Sequence, residues 1–362
     1  MKVSNLNDAP LSDRNGSYGG AAGSKEGILI DGEYWIVKYP QSTRNMNGNL
    51  ISYTTAPLSE FLGSHIYDIL GYPVHETILG VRNNKLVVAC KDFCFFPGEL
   101  REMRTLKNTY NAQLETMLEE ALFPTGSARY IDLNEILLHL DYNPILSQIS
   151  GLKARFWDCI LVDGLINNND RNNGNWGLLY RNNAFQLAPI FDNGAAFSNK
   201  ASEESLAARL SDPRKMEASA LNTISIYGKN GKNLTFKNLL TECLQYPDFC
   251  EAIKRTVPLI QQRVPQIREF ISQIPESYQG ISVCSPVRKA VYLQDMELRL
   301  DKLLVPTLHR VVAQEIEHGK NQPQSYLDNL IATSQKRAEA LNATNQLEHQ
   351  EQREKDFSLD HE

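Results

Sequence analysis

Hydrophobic and polar positions divide the chain into a strand-rich first third and a mostly helical remainder. Residues 27–40 form two apolar runs around Asp31-Gly32, a dipeptide typical of a tight β-hairpin. Residues 58–70 carry apolar side chains at helical spacing, which predicts a helix. A second hairpin is predicted over residues 73–93, turned by Asn83-Asn84.

Helical patterns dominate after the first hundred residues. Residues 100–122 read as one long helix, and the capping-box spacing at 132–135 predicts the start of another. Residues 152–166 are apolar on most sides and are expected to form a core helix. A β-hairpin over 176–191 interrupts the helices, which resume over 236–340.

These patterns predict an α+β protein with two lobes. We expect a small mixed, β-rich lobe over residues 1–98 and a large, mainly helical lobe over 99–345. Residues 346–362 are acidic and lack an apolar stripe, so a disordered tail is expected there. Residues 198–220 are rich in Ser, Lys and Glu and are expected to be mobile.

Charge and composition exclude several classes of protein. The formal charge is −6, from 37 basic and 43 acidic residues, and −4 of it lies in the tail, which holds six acids and two bases. The rest is nearly neutral, so nucleic-acid binding through a basic face is not expected. No apolar run has the length of a membrane span. The six cysteines lack zinc-site spacing and are expected to be free thiols.

The polar start of the chain bears on localisation. Residues 1–15 lack the apolar stretch of a Sec signal, so we expect a cytoplasmic protein. This expectation leaves open secretion into a host cell by a route that needs no cleaved signal.

An asparagine-rich loop, NNNDRNNGN over residues 167–175, lies between two apolar segments. Asp170 and Asn175 are five residues apart, the D-x-x-x-x-N spacing of kinase catalytic loops. The Asp can accept a hydroxyl proton, and the Asn oxygen can ligate Mg²⁺. The alternative is a tight polar turn without catalytic function.

Asp192 follows a buried-looking strand and precedes Asn193-Gly194. Mg²⁺ takes oxygen ligands, usually one or two carboxylates with phosphate oxygens, so Asp192 and Asn175 are candidate metal ligands. Taken alone, this sequence would be an ordinary turn. Its position 22 residues after Asp170, across a hairpin, favours the metal site.

Lys38 lies inside an apolar strand, where an ammonium group without partners is costly. Glu60, in the first turn of the next helix, is the expected partner, and the pair would orient nucleotide phosphates. The alternatives are an edge-strand lysine and a first-turn acid that stabilises its helix.

A glycine-rich segment over residues 15–25 precedes this strand. Its glycines allow the backbone to approach a phosphate closely, although no G-K-[ST] closes a Walker A motif. A flexible linker is the alternative. The predicted nucleotide-binding residues of this segment are Gly16, Ser17, Gly19, Gly20, Gly23 and Lys25.

The candidate elements occur in the order found in protein kinases. That order is the glycine-rich segment over 15–25, Lys38, Glu60, the asparagine-rich loop over 167–175 and then Asp192. At these residues the chain resembles the HipA-like serine/threonine kinases, especially the short cell-translocating kinase A type. The resemblance covers roughly residues 16–197. Its most specific stretches are YGGAAG (18–23), YWIVKYP (34–40), VVACKDF (87–93), NDRNNGNWG (169–177) and APIFDNG (188–194).

The resemblance implies a bilobal, HipA-like protein kinase that uses ATP and Mg²⁺. Asp170 would be the catalytic Asp, and Lys91, Asp92 and Phe93 would form the hinge that reads adenine. Relatives phosphorylate a serine of their own glycine-rich loop, which makes Ser17 and Ser24 the candidates here. A phosphate there would repel the phosphates of ATP and inhibit.

Two features depart from the family pattern. Asn172 stands where the family usually has His, and Asn cannot titrate near neutrality. A-P-E and H-R-D strings are absent from the sequence, so activation-loop rules of eukaryotic kinases do not transfer. Relatives include toxins and secreted effectors, so the expected partners are a Ser/Thr protein substrate and an antitoxin or host protein.

Two alternative functions remain open at this point. One is a lipid or small-molecule kinase of phosphoinositide-kinase-like fold, which the lack of a basic membrane-binding helix makes less favourable. The other is a catalytically silent nucleotide-binding scaffold, which is less favourable because every catalytic position is filled.

Overall fold

The structure is a computed structural model that describes residues 2–16, 18, 24–46, 50–94, 98–121, 123 and 130–319. The chain forms two compact units, Met1–His309 and Arg310–Glu362. Ser17, Gly19, Gly20, Gly23 and the acidic tail lie outside the described residues.

The small lobe is a five-stranded sheet with one long helix. The strands are β1 (Ser4–Asn5), β2 (Lys25–Ile30), β3 (Glu33–Lys38), β4 (Thr77–Arg82) and β5 (Lys85–Lys91), and helix α1 (Ala56–Ile69) connects β3 to β4. Their order in the sheet is β1-β4-β5-β3-β2. β1 pairs in parallel with β4, and the other pairs are antiparallel.

Left-handed turn residues set the register of both predicted hairpins. Asp31 and Gly32 have φ of 52° and 79°, and Asn83 and Asn84 have φ of 52° and 55°. Asp, Asn and Gly tolerate this conformation, which matches the twist of the flanking strands. The two hairpins predicted from sequence are therefore confirmed.

The lobe core lies on both faces of this sheet. Ile28, Val37 and Val87 are fully buried in one apolar cluster, and Leu58 and Ile66 of α1 are fully buried. Burial of this size contributes about 1.5–3 kcal/mol per large aliphatic side chain, so α1 is held against the sheet.

The large lobe contains the remaining elements. Its strands are β6 (Gly98–Glu102), β7 (Ile131–Asp132), β8 (Gly177–Arg181), β9 (Ala184–Leu187), β10 (Ile224–Lys229), β11 (Lys232–Thr235), β12 (Ser277–Tyr278) and β13 (Ile281–Ser282). Its helices are α2 (Met103–Leu106), α3 (Ala112–Glu120), α4 (Leu133–Tyr142), α5 (Leu152–Ile166), α6 (Glu203–Leu210), α7 (Pro213–Leu221), α8 (Phe236–Cys243), α9 (Pro247–Ser272) and α10 (Pro286–Arg299). A last helix, α11 (Val305–Gly319), begins in the unit Met1–His309 and continues past its end. A 3-10 turn (Leu146–Gln148) and a π-helical segment (Leu300–Leu304) complete the list.

Three small sheets lie among these helices, in the orders β6-β8-β9, β11-β10-β7 and β12-β13. Helix α5 forms the centre of the lobe, where Trp157 is fully buried and contacts Phe249 of α9 at 5.4 Å between ring centroids. The capping prediction is confirmed, since Asp132 accepts the N–H groups of Asn134 and Glu135.

One prediction from the sequence is wrong, and the segment that was expected to be mobile contains two helices. The expected long helix over 100–122 is instead β6, α2 and α3, because residues 98–102 pair with β8 across nearly 80 positions of sequence. The segment 198–220 contains α6 and α7, whose N-termini are capped by Ser202 and Asp212.

The structure contains a hairpin that was not predicted from the sequence. It consists of β10 and β11 and separates α7 from α8. The six cysteines are free thiols, as expected. Among the residues that the structure describes, none of the helices is both long and apolar enough to cross a membrane.

Candidate active site

A lysine from the small lobe bridges two carboxylates that are distant in sequence. Lys38, the last residue of β3, donates from Nζ to Glu60 Oε2 at 2.9 Å and to Asp192 Oδ1 at 2.8 Å. Glu60 lies on α1 and its side chain is 1% exposed, whereas that of Asp192 is 40% exposed. The half-buried ammonium group of Lys38 thus has the two partners that its partial loss of solvent requires.

The charges of this pair are mutually stabilised. Burial alone would lower the pKa of Lys38, but Glu60 and Asp192 raise it well above its usual range. Burial alone would raise the pKa of Glu60, but the Lys38 ammonium and a hydrogen bond from His75 hold it well below its usual range. Both groups are therefore ionised near neutral pH.

The asparagine-rich loop begins where α5 ends. Asn167 caps the helix in the left-handed conformation with φ of 56°, which turns the chain sharply. Arg171 of this loop is buried and forms a bidentate ion pair with Asp163 of α5, at 2.8 and 2.9 Å. The loop is thus attached to the core helix immediately beside Asp170.

Asp170 itself is exposed, and its carboxylate is oriented by a neighbour. Asn172 Nδ2 donates to Asp170 Oδ1 at 2.9 Å, and Asn172 Oδ1 accepts the N–H of Gly174 at 2.8 Å. The amide that replaces the family's histidine therefore contacts the predicted catalytic carboxylate directly.

Asp192 adopts an unusual backbone conformation. Its φ is 61°, in the left-handed region that non-glycine residues seldom occupy. The turn follows Ile190, which forms an isolated bridge with Val74. It directs the Asp192 carboxylate to Lys38, and a left-handed aspartate at such a point is typical of functional sites.

These residues face one cleft of about 1550 Å³. The predicted site residues that line it are Ser24, Lys25, Lys38, Glu60, Asp170 and Asp192. This volume exceeds the range of about 300–1,000 Å³ usual for small-ligand pockets, so it has room for a nucleotide and part of an acceptor.

Asn175 is buried and is not among the residues that line this cleft; it lines a separate small cavity with Arg171 and Ile190. Its Nδ2 donates to the main-chain oxygen of Asp170 at 2.5 Å, so Oδ1 is the atom that would face a cation. Asp192 and Asn175 together offer the hard oxygen donors that Mg²⁺ prefers, so the donor chemistry fits this ion.

The predicted hinge begins at Lys91, the last residue of β5. The N–H groups of Lys91 and Asp92 already donate hydrogen bonds to the carbonyls of Glu76 and Tyr34. Other main-chain groups of this segment would therefore have to bind the adenine base. Asp92 is buried and accepts from Arg14 at 2.8 Å. The hinge residues and Gly16 are not among the residues described as lining the cleft.

Phe93 packs beside the residue that precedes Asp192, with its ring centroid 5.6 Å from that of Phe191. Asp92 also accepts from the hydroxyl of Tyr18 at 3.0 Å, and burial with this contact raises the pKa of that hydroxyl. The start of the glycine-rich segment is thereby connected to the predicted hinge.

Sequence reasoning missed several polar residues that support the site. Asp163 contacts Arg171, His75 contacts Glu60, and Asn193 contacts both. Ser64 contacts His75 and Asn193. Of these four residues only Asn193 lies in a stretch singled out from the sequence, APIFDNG, where it was given no role. Two Asp residues inside the apolar segment 152–166, Asp158 and Asp163, were an available signal for Asp163, because a buried carboxylate requires a partner.

Comparison with known proteins supports a kinase-like fold. No protein-family model matches the chain. The serine/threonine-protein kinase CtkA of Helicobacter pylori (strain J99) is 30% identical over 313 residues, which cover 85% of this chain and 89% of the relative.

Solved structures give the same result. The crystal structure of a Helicobacter pylori proinflammatory kinase, CtkA, matches with a TM-score of 0.73 and 28% identity over 86% of this chain and 99% of that one. HipA from the HipA–HipB–operator DNA complex of Shewanella oneidensis MR-1 matches with a TM-score of 0.51. That match, with 11% identity over 85% of this chain and 70% of the other, shows the fold alone. The predicted α+β, HipA-like kinase fold is confirmed.

Proposed function

The chain belongs to the HipA-like serine/threonine-protein kinases of the CtkA type, and from this premise we propose that it transfers the γ-phosphate of Mg-ATP to a protein hydroxyl. One observation carries the proposal. Lys38 contacts both Glu60 and Asp192, 22 and 154 positions away in sequence, in the cleft that Asp170 also lines. This is the arrangement that phosphoryl transfer requires.

Each residue has a role that follows from its chemistry. Asp170 is exposed to the cleft and would accept the proton of the attacking hydroxyl. Lys38, held by Glu60, would donate to phosphate oxygens of the nucleotide. Asp192 and Asn175 would hold Mg²⁺, which when bound neutralises charge on the β- and γ-phosphates.

The nucleotide site would extend from the catalytic residues to the glycine-rich segment and the hinge. Ser24 and Lys25 line the cleft on the small-lobe side. Lys91 is the last residue of β5, the strand that pairs with β3, and Asp92 and Phe93 follow it, which supports their assignment as the adenine-binding segment. Gly16, with φ of 93°, begins the segment that would cover the phosphates.

We also propose autophosphorylation of Ser17 or Ser24 and an antitoxin or host protein as a partner. The support for the first is the position of Ser24 in the cleft wall, where an added phosphate would compete with those of ATP. The support for the second is the family to which the chain belongs.

The test uses the full chain with Mg²⁺ and γ-labelled ATP. Acceptors are the chain itself, protein extract and phosphoinositide vesicles, in separate reactions. Label is expected on serine or threonine of protein, and Asp170→Ala should lower transfer by roughly 100-fold or more while leaving nucleotide binding intact. Asp301→Ala, at an exposed position, is the matched control and should retain full activity.

Three outcomes would contradict the proposal. Full activity of Asp170→Ala would remove the catalytic assignment. Label confined to lipid would favour a lipid kinase. Thermal stabilisation by Mg-ATP without any turnover would favour a nucleotide-binding scaffold.

A further inference from the structure

Asn193, the residue after Asp192, is completely buried and contacts two other parts of the site. Its main-chain N–H donates to Glu60 Oε1 at 3.0 Å. Its side-chain Nδ2 donates to Ser64 Oγ at 3.1 Å, and its Oδ1 accepts from Arg171 Nη2 at 2.5 Å. Asn193 thus connects the turn at Asp192 to α1 and to the asparagine-rich loop over residues 167–175.

The chemistry of its neighbours fixes the direction of the Asn193 amide. A guanidinium group only donates hydrogen bonds, so Oδ1 must face Arg171 and Nδ2 must face Ser64. Arg171 is itself fixed by its ion pair with Asp163, and it adjoins Asp170. Asn193 therefore contacts α1 on one side and a rigid part of the catalytic loop on the other.

Helix α1 is packed closely against the same side chain. A Cβ atom added at Gly63 would lie 2.7 Å from Asn193 Cβ, which is too close for a real contact. The imidazole of His75 lies 3.0 Å from Glu60 Oε1 and 3.1 Å from Ser64 Oγ. The Glu60 carboxylate, which binds Lys38, is thus contacted by both the main-chain N–H of Asn193 and the imidazole of His75.

We propose that Asn193 is a positioning residue that sets the location of Glu60, and through it Lys38, relative to Asp192. This inference rests on the proposed kinase function and adds a residue that acts through Glu60 without touching the substrate. A displacement of about 1 Å at such a site can lower a rate on the order of 100-fold, so loss of the side-chain bonds should affect turnover.

The experiment compares Asn193→Ser with a control at Asn143, which is equally buried. Asn143 uses its amide only on main-chain groups of the large lobe, including the N–H of Ile145 at 3.0 Å and the carbonyl of Leu106 at 3.1 Å. We expect Asn193→Ser to lower kcat at saturating ATP by about tenfold or more. Asn143→Ser should destabilise the protein to a similar extent and leave kcat within about threefold.

A double-mutant cycle with Glu60→Gln separates positioning from a purely structural effect. If Asn193 acts through Glu60, Asn193→Ser should change kcat by less than about threefold in the Glu60→Gln background. Ser64→Ala, which removes the acceptor of Asn193 on α1 together with the contact to His75, serves if Asn193→Ser does not fold. It should lower kcat by about threefold to tenfold.

The outcomes distinguish this inference from the proposed function. Equal fold-losses in both backgrounds, or unchanged kcat in Asn193→Ser and Ser64→Ala beside an active parent chain, would overturn the positioning role alone. Absence of phosphate transfer by the parent chain would overturn the kinase function and this inference together.

Discussion

Asp163→Asn is expected to be strongly destabilising because it removes the charge that compensates a buried guanidinium. Arg171 is 3% exposed and donates to both oxygens of Asp163, at 2.8 and 2.9 Å. The same carboxylate accepts from the Tyr67 hydroxyl at 2.9 Å and from Asn168 Nδ2 at 3.0 Å. The substitution therefore affects one network of four hydrogen bonds.

Breaking a buried ion pair costs about 3–5 kcal/mol because it leaves an uncompensated charge. Two charge-assisted hydrogen bonds at about 1.5–3 kcal/mol each give a similar sum. Since the asparagine side chain retains one acceptor oxygen, we expect the lower end, about 3 kcal/mol. The exposed pair of Arg268 and Glu297, with side chains 55% and 36% exposed, should contribute less than about 1 kcal/mol.

The assay is urea unfolding followed by far-ultraviolet circular dichroism and tryptophan fluorescence, with Glu297→Gln as the control. Asp163→Asn should lower the unfolding midpoint at unchanged slope, and it should also reduce kcat because Asp170 adjoins Arg171. A loss below about 1 kcal/mol, equal to that of the control, would refute the claim that this ion pair fixes the catalytic loop.

Three further predictions concern Ser24, the buried histidines and Asn172. Ser24→Asp should raise the KM for ATP in steady-state assays, whereas Ser24→Ala should not, because Ser24 lines the cleft where the nucleotide would bind. Equal KM values for the two variants would remove the regulatory proposal. Burial lowers the pKa of His65 and His139, so the unfolded chain gains protons first as the pH falls. Stability should be complete above about pH 6.5 and decrease below it in urea titrations, and a flat profile down to pH 5.5 would contradict this reasoning. Asn172→Asp should lower kcat several-fold because a carboxylate replaces the N–H donor to Asp170. The control is Asn182→Asp, in an exposed hairpin turn. Equal kcat in the two variants would show that the contact between Asn172 and Asp170 is dispensable.

Local chemistry determined which parts of the fold could be predicted. Asp31-Gly32 and Asn83-Asn84 favour left-handed turns whatever surrounds them, so the two hairpins of the small lobe were predictable. The region 100–122 was not, because its first residues have helical spacing yet pair with β8, a contact that no local window contains.

The candidate site likewise contains residues that the local sequence predicts and residues whose contacts depend on distant parts of the chain. Motif order was enough to propose Lys38, Glu60 and Asp192 as members of one site, and the structure brings their side chains into contact. The contacts of Asn193 with α1 and Arg171 span 129 and 22 positions of sequence, so they depend on the completed fold. Asn193 lies within the stretch APIFDNG, but its sequence position alone did not indicate which residues it contacts.

The most direct test of the account is a crystal structure of the full chain with Mn²⁺ and a non-hydrolysable ATP analogue. We predict an anomalous Mn²⁺ peak within ligand distance of Asp192 and Asn175, with the phosphates of the analogue beside Lys38 and the cleft side of Asp170. An analogue bound elsewhere, or Mn²⁺ without contact to Asp192, would contradict the claim that these residues form one magnesium–nucleotide site.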